Sequence, residues 1–178
     1  MSALSACLLL ALVAAPAERP RVVRESLAAL ERIFDSRIER QSIEDPFMLL
    51  GTTRGVYLEG YGAVLTAEVN LVSGPAITPF RPALSREEIS RLHARKQQRL
   101  PELRRIMREM LMDAAGALEA VPAGEQIVLA VTLFYYSWED RSGLPSQILM
   151  QAQRQQLLNL KQRGAAAAAE GVILVKEF

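Results

Sequence analysis

Cysteine is almost absent from this chain. The one thiol, Cys7, lies inside an apolar stretch at the N-terminus, and none follows in the rest of the 178 residues. Once that stretch is removed, no intramolecular disulfide, thiolate-ligated metal or cysteine nucleophile is possible. Histidine is as scarce. His93 stands alone, which excludes a two-histidine zinc site. There is no H-E-x-x-H run, no G-x-S-x-G elbow and no Walker-type lysine, so zincin, α/β-hydrolase and P-loop chemistries find no support. An excess of charge of either sign is also missing. Twenty-one Lys and Arg face 20 Asp and Glu, and no global field draws the chain toward nucleic acid or toward an acidic surface.

What is present begins with an address. Residues 3–17 read ALSACLLLALVAAPA, and no charge precedes Glu18. The apolar centre Leu8–Val13 suits a translocon, and Ala15-Pro16-Ala17 offers the small residues that a signal peptidase inspects. Residues 1–17 are therefore expected to be a removable signal, leaving 18–178 as one domain. The usual basic start is missing, because Met1–Leu10 has no Lys or Arg. Leu4-Ser5-Ala6-Cys7 resembles a lipobox, but the apolar run lies mostly after the cysteine rather than before it. The run is also shorter than the roughly 20 residues of a spanning helix. No integral span is expected after cleavage.

The length suits one domain with a real core. Val23, Leu27, Leu30, Phe34 and Ile38 recur at helical steps over 20–41, with Arg24, Glu31, Arg32, Asp35 and Arg40 expected mostly on the wet side. Residues 53–72 read as a β-hairpin. Gly60 and Gly62 flank Tyr61 and permit the positive φ angles of a tight turn. From Ala63 to Val72 apolar residues alternate with others, so that strand buries one face. A strand follows Gly60-Tyr61-Gly62 where a phosphate cradle would need a helix. Pro79 and Pro82 mark a loop. Ser85 and Glu88 then fit a capping box, with Leu84 and Ile89 as its staple. The helix that follows is expected to kink or divide at Pro101. Gln126–Trp138 is nearly continuous in apolar residues and reads as the central strand. A third helix is expected over 146–163, an alanine-rich connection over 165–169 and a last strand over 172–178. The order α-β-β-α-β-α-β predicts an α/β fold that leans toward α+β, with a mixed four-stranded sheet and helices packed on it.

Carboxylates are the only credible acid–base groups. Glu68 interrupts an apolar strand beside Thr66 and Asn70. Glu59 and Tyr61 adjoin the hairpin turn, and Asp140 follows the central strand. A glycosidase-like hydrolase would need two such groups a few ångströms apart. A wet strand face would leave Glu68 an ordinary surface residue. Residues 81–109 carry nine basic against four acidic side chains. Arg91, Arg95, Lys96 and Arg99 are the candidates there for binding an acidic partner or anionic surface. His93, among them, reads as a solvated histidine. Phe134, Tyr135, Tyr136 and Trp138 close the central strand and suit either a pocket or a core.

No catalytic set survives this count. The expected function is a non-catalytic binding or assembly module of the cell envelope, periplasmic or secreted, acting through a sheet edge or the basic helix. The alternatives are a carboxylate-dependent hydrolase and a protein held on a membrane surface. Neither a cofactor nor a metal nor a nucleic acid is expected.

Overall fold

In the computed structural model of the chain, the described residues are 19–42, 44–75, 84–163 and 171–178. The expected signal, the loop prolines Pro79 and Pro82 and the alanine run 165–169 lie outside them. Helix α1 spans Arg19–Glu39, and its stripe Val23, Leu27, Leu30, Phe34 and Ile38 is buried as the periodicity required. Strands β1 (Met48–Leu49), β2 (Arg54–Leu58) and β3 (Gly62–Asn70) follow, then helix α2 (Arg86–Ala117). Strands β4 (Gln126–Leu133) and β5 (Gln147–Gln153), helix α3 (Arg154–Gln162) and strand β6 (Leu174–Glu177) complete the chain.

Among the described residues the fold is mixed α/β, with three helices on a mixed sheet of six strands rather than four. β3 and β4 are parallel; every other pair is antiparallel. Parallel neighbours need a long crossover, and α2 supplies it. β4 occupies one side of β3 along nearly its whole length, so β1 and β2 share the other side end to end. The opposite edge of the sheet is β6.

The two additional strands, β1 and β5, have physical causes that the sequence pattern hid. Residues 147–153 pair with β4 on one side and β6 on the other. They form a strand where a helix was expected, and only 154–162 is helical. Gln, Leu, Met and Ala all favour helix, but sheet pairing and burial of Ile148, Met150 and Ala152 outweigh that preference. β1 is two residues long, too short to leave a pattern. α2 runs unbroken through Pro101 rather than dividing there. Its start is as expected: Ser85 Oγ accepts from Glu88 N–H, and Ser85 N–H donates to Glu88 Oε2 at 2.9 Å.

All three helices pack on one face of the sheet. Ala63, Leu65 and Val69 of β3, Ile127, Leu129 and Val131 of β4, and Ile148 and Met150 of β5 join the helical stripes in one core. Among the described residues, no helix covers the other face. Val128 and Ala130 of β4 are buried there nonetheless. They lie in register between Val64 and Thr66 of β3 and Gln151 and Leu149 of β5, and those neighbours shield them. Toward the margins the apolar side chains open out, with Val56 at 50%, Leu58 at 48% and Leu174 at 47% exposure. No described helix is long and apolar enough to cross a membrane.

Candidate functional site

The expected carboxylates do not converge. Glu68 is exposed on the helix-free face, opposite Thr132, in a shallow depression it shares with Arg54, Thr66 and Thr132. No second carboxylate lines that depression. Glu59 and Tyr61 are exposed at the hairpin turn. The turn precedes Gly62, so six residues of β3 place Glu59 about 20 Å from Glu68. That is well outside the roughly 5–9.5 Å that separates glycosidase carboxylates. Asp140 lies in the loop after β4, and its Oδ1 accepts from Ser142 N–H at 2.9 Å and Ser142 Oγ–H at 2.7 Å. Those hydrogen bonds hold its carboxyl below the ordinary aspartate value. Among the described residues, no group of three or more His, Asp or Glu side chains gathers to hold a metal.

The expected basic face is not a free patch either. Lys96 is fully buried, so its assignment to an exposed binding surface is corrected. Its Nζ lies 2.5 Å from Glu139 Oε2, donates to Phe134 O at 3.2 Å and sits 4.7 Å from the centre of the Tyr135 ring. Glu139 Oε1 in turn accepts from Tyr136 N–H at 3.0 Å, and Tyr135 Oη–H donates to Pro145 O at 2.8 Å. One turn earlier, His93 Nδ1 lies 3.0 Å from the Asp140 carbonyl. A carbonyl only accepts, so Nδ1 carries the proton. Together these bonds fasten the loop 134–145 onto α2. The loop in turn stacks Tyr136 on Trp138, with ring centres 5.3 Å apart and planes 7° from parallel.

The three arginines are engaged as well. Arg91 pairs with Glu87 at 2.9 Å on the exposed face of α2. Arg95 and Arg99 converge on Asp45 Oδ2 at 2.8 and 2.7 Å. Arg99 also donates to the Asp45 carbonyl and lies 4.2 Å from the centre of the Phe47 ring. These contacts hold the segment between α1 and β1 against α2.

A further set of charges, which the wet-side assignment of Glu31 and Asp35 concealed, closes one edge of the sheet. Glu31 Oε1 accepts from Gly55 N–H at 2.8 Å, and Asp35 Oδ1 accepts from Thr53 N–H at 2.8 Å. Arg24 donates to Glu31 Oε1 and to the Gly55 carbonyl, both at 2.9 Å. The outward N–H and C=O of Gly55 on β2 and the N–H of Thr53 before it are thus paired with α1, which hinders another strand from adding there. Burial alone raises the Glu31 carboxyl. The hydrogen bonds from Arg24 and Gly55, with the charges of Arg24 and Arg54, outweigh it and hold the group below 4.5. A carboxylate depressed in the folded state stabilises above its unfolded value, and that stability is lost as pH falls through the folded value. Glu31→Ala is therefore expected to cost about 1–3 kcal/mol in a urea melt at pH 7, because Gly55 N–H loses its partner in a partly buried place. The deficit should shrink below pH 4.5; a constant deficit down to pH 3 would contradict this assignment.

Comparison with family models, with curated proteins and with solved structures finds no match to this chain.

Proposed function

We propose that this chain is an exported, non-catalytic binding or assembly module of the cell envelope, and that it binds through the helix-free side of its sheet and the edge beside it. One observation carries the reading. Among the described residues, the groups that could perform acid–base chemistry or hold anions fasten the fold or stand alone, while one face of the sheet carries no helix. Lys96, Arg95 and Arg99 are engaged internally. Of the two surfaces that sequence suggested, this favours the sheet over the basic helix. The exposed apolar side chains of that side, Val56 and Leu58 at one margin and Leu174 at the other, are surface that a binding partner could cover. Export rests on the apolar residues 3–17 and the Ala15-Pro16-Ala17 site.

Two experiments test the two halves. Mass spectrometry of the protein recovered from cells is expected to find a chain beginning at Glu18. An intact chain beginning at Met1 in the cytosol would contradict export, and an intact chain in the membrane fraction would favour surface attachment. A photo-reactive residue placed at Val56, Leu58 or Leu174 is expected to give a discrete adduct in cells. The same residue at Arg32 or Gln98, both exposed on the helical side, is expected to give none. Adducts from the helical positions alone, or from no position, would reject the sheet as the binding surface.

A further inference from the structure

We infer that the outer edge of β6 receives an extended, acidic segment of a partner polypeptide, which adds to the sheet as a further strand. The inference rests on the binding-module reading and specifies its surface and the chemistry of its partner.

Backbone alternation comes first. Phe178 N–H donates to the Gln147 carbonyl at 3.0 Å, and Ile148 to Gln151 lie opposite Glu177 to Leu174. Residues 174, 176 and 178 therefore turn their N–H and C=O groups toward β5, and Val175 and Glu177 turn theirs outward. Among the described residues, no hydrogen bond meets the outward groups of Val175 or Glu177. The opposite edge differs. There Glu31, Asp35 and Arg24 cover the corresponding groups of Thr53 and Gly55. One edge has α1 side chains on the outward groups of Thr53 and Gly55, and the other is left able to pair.

Charge identifies the occupant. Arg104 grips Glu177 with two hydrogen bonds, of 2.6 and 2.9 Å, and so neutralises the carboxylate of β6. Arg108 lies one turn further along the same face of α2, without an acidic partner among the described residues. Lys176 is exposed on the helix-free face and likewise lacks one. An incoming strand meets a cation on each side of the sheet, and the one carboxylate of β6 among the described side chains, Glu177, is compensated. Leu174 and Phe178, 47% and 64% exposed, flank Lys176 and offer apolar surface to its alternate side chains. The four-residue length of β6 and its charges discourage indiscriminate pairing, which leaves a matched acidic segment as the favoured partner.

The test uses a blocked eight-residue peptide of alternating Glu and Val, with a Lys–Val peptide as control, titrated into the mature chain. Binding is followed by amide exchange resolved to single residues. Saturable binding of the Glu peptide is expected, with slowed exchange at Val175 and Glu177. Val175→Pro removes an outward donor without breaking a β5–β6 bond, and should weaken binding about fivefold to tenfold. Arg108→Glu, a substitution on the helix surface, should weaken it about fivefold while leaving the melting temperature unchanged. Equal binding of both peptides, no binding of the Glu peptide, protection confined to another surface, or unchanged affinity in both variants would each overturn the assignment. So would pairing of β6 with a second copy of the chain, which would occupy the edge before any peptide arrived. Loss of peptide binding with adducts retained at Val56 and Leu58 would remove the edge site alone. Absence of adducts from every position, sheet and helical alike, would instead remove the binding-module reading.

Discussion

Glu139→Ala is expected to destabilise the fold by about 3–5 kcal/mol at pH 7, because it strands the buried Lys96 ammonium without its counter-charge. Lys96 is inside the protein, and its carboxylate partner is only 3% exposed. Neither charge regains water when the other is removed. The double variant Lys96→Met with Glu139→Leu should recover most of the loss, since an apolar pair of similar volume carries no desolvation penalty. The pH dependence gives a sharper signature. Burial pulls the Lys96 ammonium below its ordinary 10.5, and the hydrogen bond and charge of Glu139 only partly restore it. With the folded value below the unfolded one, the unfolded chain holds more protons between them, so this group makes stability rise with pH across that window. Removing Glu139 widens the window downward. The variant should therefore recover part of its deficit between pH 7 and pH 9.5. Tyr135 works in the opposite sense at higher pH. Burial, reinforced by the Glu139 charge, raises its hydroxyl to about 12. Its contribution is present below pH 10 and is lost as pH rises from 10 toward 12. Trp138 is the single tryptophan and stacks on Tyr136 within the loop that Lys96 and Glu139 hold, so its fluorescence reports the loop directly. A Glu139→Ala protein that melts within 1 kcal/mol of the parent would show that the pair holds nothing.

The second large effect belongs to the hairpin. Gly62 has φ +135°, and a Cβ there would lie 1.9 Å from the Gln126 carbonyl oxygen. That oxygen is backbone at the start of β4, where Gln126 N–H donates to the Tyr61 carbonyl at 2.8 Å. It cannot swing aside as a flexible side chain could. Gly62→Ala must displace β3 from β4 or abandon the turn, and is expected to cost at least about 3 kcal/mol. Gly60 is the control. It too has positive φ, at +78°, but a Cβ there meets nothing within 4 Å. Gly60→Ala should cost only the backbone term, about 1–2 kcal/mol. Equal losses in parallel denaturant melts would mean that the close approach of β4 contributes nothing.

These two sites mark how far the residues could be read in advance. The turn glycines, the α1 stripe and the Ser85–Glu88 capping box are local features, determined by neighbours within a few positions, and each lies where its pattern required. Lys96 and Glu31 were placed on wet faces because they are charged, yet both fall on apolar stripes. Leu92, Lys96, Leu100 and Leu103 recur at four- and three-residue steps, as do Leu27, Glu31, Phe34 and Ile38. The period put them inside; their partners, Glu139 and Gly55, are distant in sequence, so nothing local announced that the charge would be met. β5 failed for a related reason. Ile148, Met150 and Ala152 alternate as a strand does, but the composition favours helix, and only the open sides of β4 and β6 decide between them. The candidate carboxylates were dispersed by the same topology: Glu68 lies on the bare side of the sheet, whereas Asp140 is in the loop bound to α2.

The asymmetry between the two sheet edges is the physical core of this account, and residue-resolved amide exchange on the free protein measures it. Thr53 and Gly55 are expected to exchange slowly, because α1 carboxylates accept their N–H groups, while Val175 and Glu177 exchange near the rate of open chain. Fast exchange at Thr53 and Gly55, or strong protection at Val175 and Glu177 with no partner present, would contradict it.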